Sequence, residues 1–208
     1  MKRKHQDSGW SPHSGTQEGL WGADSSSVYA VGYGGYVTHF DGSQWNHIPS
    51  PTTIGLGGIW GVRDGSNVET VLCTGLKQGI FEITGSGVQN VFNWPGGEAS
   101  GLWFKNLDQV FVTGSGGVYV FSRGNWLQSF YCPYLVSGIR GTQVNDLFIL
   151  GDGVAAHWNG SSWHEYPQFE SYNPSLVSVD VKDDLVIAVG LAGNPLNQTA
   201  VAVIGKHP

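Results

Sequence analysis

Charge is scarce in this 208-residue chain: Asp, Glu, Lys and Arg together make up 12% of it, about half the share usual in a soluble domain. The ten cations face sixteen acids, the net charge is −6, and the one basic cluster is Lys2-Arg3-Lys4. A stripe of Lys and Arg able to track a phosphate backbone is missing, so nucleic acid is not an expected partner. Cysteine is nearly absent. Cys73 and Cys132 lie far apart with no CxxC spacing, and read as buried free thiols, a disulfide or ligand role being the alternative. Long hydrophobic runs are absent too. The longest, "LVIAVGLAG" at 185–193, is too short to span a bilayer, so a soluble monomer with no membrane span is expected. No apolar stretch follows "MKRKH", so nothing as written directs export, and the expected compartment is the cytoplasm, although a low charge rich in Trp and Gly suits a secreted or surface protein. Asn159 and Asn197 match the glycosylation sequon, which needs that secretory route. Helix formers are sparse. A Gly-x-Ser-x-Gly elbow and a His-x-x-x-His pair are missing as well, so no catalytic residue, metal or cofactor is expected.

What is plentiful is glycine (32 residues) and aromatics (9 Trp, 8 Tyr, 9 Phe), the mixture of many short strands joined by tight turns. "AVGYGGYV" at 30–37 begins as a phosphate loop would, but another alternating β segment follows where that loop needs a helix. The same event recurs in "TGSGGVYV" (113–120) and "LGDGVAAHW" (150–158), so each reads as a hairpin whose glycines supply positive φ. The recurrence extends over the chain. A β segment closes on Gly32, Gly75, Gly114, Gly151 and Gly190, and ahead of each stands "GLWG", "GIWG", "GLWF", "GIRG" or the degenerate "LVSV" at 176–179. Turns such as "FDGSQW" and "WNGSSW" follow the hairpins.

Five units of about forty residues, each read as four strands, predict an all-β, five-bladed β-propeller of four-stranded antiparallel blades. One domain is expected over 1–208, with 1–6 a flexible tail and blades starting near 19, 58, 101, 138 and 176. The last strands end near Pro49, Pro95, Pro133 and Pro167, which suits outer edges because proline cannot donate to a further ladder. The fifth unit has only three strands. "DSGWSPH" at 7–13 resembles "DGSQWNHIP", so it is expected to complete that blade and close the ring.

In "LWGADSSSVYAVGYGGYVTHFDGSQW" and its weaker copies, over 19–205, the chain resembles bacterial β-propeller repeat proteins with VWG…DVWAVG…DGTSW blades, relatives of Asp-box and photosystem-assembly-type propellers. Asp41-Gly42 is a shortened Asp box. The resemblance implies a non-enzymatic protein, and five blades are similar to the architecture of tachylectin-type lectins and of five-bladed arabinan-cleaving glycosidases.

Residues that recur at the same place in several units, Trp21, Trp60 and Trp103 on one strand and Trp45, Trp126 and Trp163 on another, read first as packing, with sugar stacking as the alternative. His39 and His157 are likewise repeat scaffolding. Departures from the repeat are better candidates. Arg140 replaces a Trp on an innermost strand; its guanidinium is expected beside a channel, in an ion pair with Asp152 or holding an anion. Hairpin turns and blade links are expected on one face, carrying Tyr33, Trp94, Tyr134, Asp152, Tyr172 and Asn173, with Lys77, Gln78, Glu18, Glu98 and Glu170 nearby. Aromatics with a few carboxylates and amides suit a binding module for a glycan or a protein. The alternative is a small five-bladed glycoside hydrolase with carboxylates over the channel.

Overall fold

The computed structural model describes residues 17–76, 79–169, 174–193 and 196–206. The expected closing strand at 7–13 and the tail at 1–6 lie outside the described residues, as do Lys77, Gln78, Glu170, Tyr172 and Asn173. Nearly everything else is antiparallel strand. In chain order these are β1 (Gln17–Asp24), β2 (Ser27–Gly32), β3 (Val37–Phe40), β4 (Trp45–His47), β5 (Leu56–Arg63), β6 (Glu69–Gly75), β7 (Gly79–Thr84), β8 (Gly87–Phe92), β9 (Ala99–Asn106) and β10 (Gln109–Ser122). They continue as β11 (Asn125–Gln143), β12 (Asp146–Gly151), β13 (Ala155–Trp158), β14 (Trp163–Glu165), β15 (Ser175–Lys182), β16 (Leu185–Ala192) and β17 (Thr199–Lys206).

Among the described residues the five repeats make four sheets, of uneven strand number: β1-β2-β3-β4, β5-β6-β7-β8, the six-stranded β9-β10-β11-β12-β13-β14, and the three-stranded β15-β16-β17. This overturns the expected five blades of four strands. The cause lies in β11, which pairs with β10 along its first half and with β12 along its second. Pro133 was expected to end an outer strand, yet the strand runs through it. The register jumps from Gly116↔Cys132 to Ser115↔Leu135, so Pro133 and Tyr134 sit in a bulge where no ladder bond is asked of the proline. The third and fourth repeats are thereby fused in one sheet.

Consecutive repeats pack face to face. Trp21, Tyr29, Val31 and Val37 of the first sheet meet Ile59, Cys73 and Phe81 of the second. Leu72 and Ile80 meet Leu102 and Val110, while Phe148 and Leu150 meet Val179 and Ala188. The alternation of strand residues sends one set to each neighbour. Trp60 therefore faces the third repeat, where its Nε1 donates to the Phe104 carbonyl at 3.0 Å.

The repeated glycines act differently from expectation. Positive φ falls on the turn glycines, such as Gly34 and Gly153, while Gly32 at the strand end is extended, with φ −169°. What Gly114, Gly151 and Gly190 supply is closeness: an added Cβ would lie 1.9 Å from the Glu98 carbonyl oxygen, 2.0 Å from that of Leu135 and 2.1 Å from that of Ser175. Register also corrects the fifth unit. Trp21, Trp60, Trp103 and Arg140 pair with residues three before the closing glycine, and in the fifth unit that partner, Ile187, pairs with Asp180. The residue in the tryptophan place is Asp180, and the apparent match at 176–179 is shifted.

Candidate functional site

The hairpin turns and the links into the innermost strands share one end of the molecule, as expected, because backbone hydrogen bonds tie them. Leu76 N donates to the Gly55 carbonyl at 3.1 Å, Ser115 N to Glu98 at 2.8 Å, Asp152 N to Leu135 at 3.1 Å and Gly153 N to Pro174 at 2.9 Å. The turns and links of the second, third and fourth repeats are thus tied into a rim, which the bond from Gly153 to Pro174 carries on to the fifth.

On this rim the β11 bulge and the turn before β13 border a cleft of about 340 Å3, lined by Phe130, Tyr131, Tyr134, Glu165 and Tyr166 among others. Tyr131 and Tyr134 are 70% and 61% exposed, large for aromatic rings carried on a strand. Cys132 lies under them, buried, and loss of hydration pushes its thiol up from the ordinary value, with the Glu165 and Asp152 charges adding to the effect. Burial also raises the Tyr166 phenol. Among the described residues no Lys or Arg lines the cleft.

Of the expected site residues, Tyr134 is in this cleft and Asp152 is beside it, next to the lining residue Gly153. Asp152 does not hold Arg140; its Oδ1 accepts from Ser175 Oγ at 2.7 Å. Tyr33 is exposed on the first sheet's turn and is not brought to the cleft. Trp94 is not an open shelf. Its Nε1 donates to the Gly97 carbonyl at 3.0 Å, and its ring meets Tyr119 and Trp126 edge-on, with centroids 4.9 and 5.3 Å away. Tyr131, Glu165 and Tyr166 were not anticipated. The signal was "YCPY", an aromatic pair around a proline that breaks the repeat.

A second polar group joins the first two sheets at the opposite end. Glu69 Oε2 accepts from Ser27 Oγ at 2.8 Å and from Tyr29 OH at 3.0 Å, and Arg63 pairs with both Glu69 and Asp24. Since Ser27 gives its proton to Glu69, it accepts from His39 Nε2, 2.9 Å away, and is not activated as a nucleophile. Burial works to raise the Glu69 carboxyl, but bonds from Arg63, Ser27 and Tyr29 outweigh it and hold the group low. Burial and the Glu69 charge push Tyr29 up to about 12. The fourth repeat varies the same device: Asp146, in the place of Ser27, lies 2.9 Å from His157 Nε2, and Phe148 stacks on that ring as Tyr29 does on His39. These groups fasten strands together. Among the described residues, three or more His, Cys, Asp or Glu side chains never gather as a metal site, and no helix is long and apolar enough to cross a membrane.

No family model matches the chain, and no curated protein matches it. Solved structures do. YCF48 bound to a D1 peptide is similar at a TM-score of 0.65 and 10% identity, over 95% of this chain and 65% of that one. The WD40 β-propeller domain of Doa1 gives 0.67 and 16% identity, over 88% and 65%. BBS1N in complex with ARL6DN gives 0.64 and 14%, over 95% and 68%. The fold is a β-propeller. It has four blades of uneven strand number, so the five-bladed, tachylectin-type architecture implied by the resemblance does not hold. The chain spans about 65% of the length of the first two propellers. At these identities the likeness is one of fold.

Proposed function

We propose that this propeller is a non-catalytic binding module whose partner is a protein, held on the rim of hairpin turns and links, with Tyr131, Tyr134 and Tyr166 as anchors. The observation that carries the proposal is the pair of exposed tyrosines fixed on β11 beside a cleft of about 340 Å3. Rigid aromatic rings give large contact area at small cost in conformational entropy, which is what an interface anchor requires. Glu165 in the cleft and Asp152 beside it, with no cation among the described lining residues, favour a segment bearing Lys or Arg next to an apolar or proline residue. A propeller of like fold, YCF48, has been seen with a peptide bound. The hydrolase alternative requires two carboxyls facing across the reacting bond, and among the described residues Glu165 is the single carboxylate lining the cleft.

The test is selection of displayed random peptides on the purified chain, run beside a glycan array. Peptides enriched in basic and apolar residues, whose binding falls about tenfold or more with Tyr134→Ala or Tyr131→Ala, support the proposal. Glycan hits without peptide hits, or peptides indifferent to both substitutions, would overturn it.

A further inference from the structure

Strands β1, β5, β9 and β15 and the second half of β11 border a channel of about 380 Å3 lined by small residues, glycine and serine, and by aliphatic ones. Among the described residues Arg140 is the one cation that lines it. Its guanidinium carbon sits 4.7 Å from the centre of the Trp60 ring, and Nη1 donates to the Ile139 carbonyl at 2.7 Å. A guanidinium has five N–H donors. Among the described residues no carboxylate lies within ion-pair distance of this one, so a desolvated cation, stacked on one face, retains donors for a ligand. Burial pulls its affinity for the proton below the ordinary value, while the Asp180 charge acts in the opposite sense.

The channel also carries carboxylates. Glu18 and Glu98 line it, and Glu18 stands in its repeat where Ser137 stands before Arg140, three residues away across a bulge and so about 8 Å along the strand. A simple anion entering past these groups is repelled, whereas a chain with charge of both signs is attracted at both levels.

We propose that the channel binds a ligand bearing a carboxylate and an ammonium about 8 Å apart, the spacing given by the bulged strand rise: an ω-amino carboxylate or a short peptide with free ends. The carboxylate takes the Arg140 guanidinium, pre-set on Trp60, and the ammonium lies toward Glu18 and Glu98. Asp180 competes with the ligand for Arg140. This site is separate from the aromatic cleft and does not rest on it.

The experiment follows the Trp60 ring N–H and the Arg140 side-chain N–H signals by nitrogen-15 NMR during titration with 6-aminohexanoate, acetate and hexylamine. Saturable shifts with 6-aminohexanoate, at least about tenfold tighter than with either single-charge probe, are expected. Arg140→Gln should abolish the Trp60 shift, Glu18→Gln should reduce 6-aminohexanoate to the level of acetate, and Asp180→Asn should tighten it. An unchanged protein spectrum elsewhere shows that each variant is folded, and Trp21→Phe serves as a control that leaves binding intact. Equal responses to the three probes, no response, or a response that survives Arg140→Gln would overturn the proposal.

Discussion

Asp180 stands in the fifth repeat where Arg140 stands in the fourth, each paired with the residue three positions before its closing glycine, Ile187 before Gly190 and Phe148 before Gly151. The three earlier repeats have tryptophan there, so the two departures bring opposite charges to neighbouring strands of the channel wall.

Arg140→Trp should therefore be tolerated to within about 1 kcal/mol, because its neighbours already accommodate that ring in three repeats. Arg140→Ala uncovers the Trp60 face and should cost about 1 to 2 kcal/mol. Urea unfolding midpoints of the two variants check this, and a larger loss for Trp than for Ala would contradict it.

Tyr134→Ala should leave the melting temperature nearly unchanged, since an exposed ring contributes within about 0.5 kcal/mol. Trp94→Ala removes a hydrogen bond and two edge-on ring contacts, and should cost about 3 kcal/mol. Calorimetry on the pair separates a binding tyrosine from a packing tryptophan.

Gly114→Ala places a methyl group 1.9 Å from a carbonyl oxygen, so the backbone must move. A loss of about 3 kcal/mol is expected, against a small effect for Gly124→Ala, where nothing lies nearby and only backbone strain acts. Equal melting points for the two variants would refute the close-approach explanation.

Tyr29 should titrate near 12 rather than near 10. A phenol raised in the folded state contributes stability that is fully present below the unfolded value and is lost as pH rises through the folded one, so alkaline loss should fall between about 10 and 12. Glu69 is depressed, so its contribution is present above the ordinary carboxyl range and fades as pH falls through the lower folded value. Glu69→Gln should lower the Tyr29 titration, read from phenolate absorbance in difference against Tyr29→Phe, and flatten the acid limb of stability.

Neither cysteine should react with a thiol reagent at pH 8 in the native protein, because both are buried and burial raises both thiols. Two thiols per chain should appear on unfolding in guanidinium. Rapid native reaction of Cys132 would show that the cleft above it opens.

Much of the architecture was legible because it is periodic. A closing glycine every forty residues or so, a Trp-Gly strand before it and alternating apolar residues between are local patterns, and together they specify antiparallel strands and the side each residue faces. The rim was legible for the same reason: hairpin turns and links must lie at one end when strands simply alternate in direction. Tyr134 and Asp152 could be placed there as departures from the pattern.

What the sequence by itself determined was the β character of the chain, the repeat length and the places of the hairpin turns, since these follow from local alternation and turn chemistry. Only the tertiary structure decided how strands are shared among sheets. Whether β11 stops at Pro133 or passes through it depends on a register jump against β10, and that jump is a property of two strands in contact. The same holds for Arg140, whose partner is Trp60, two repeats back and beyond any spacing rule, and for Trp94, closed by rings from β10 and β11. Pairing between distant segments is set by the packing that the whole fold permits.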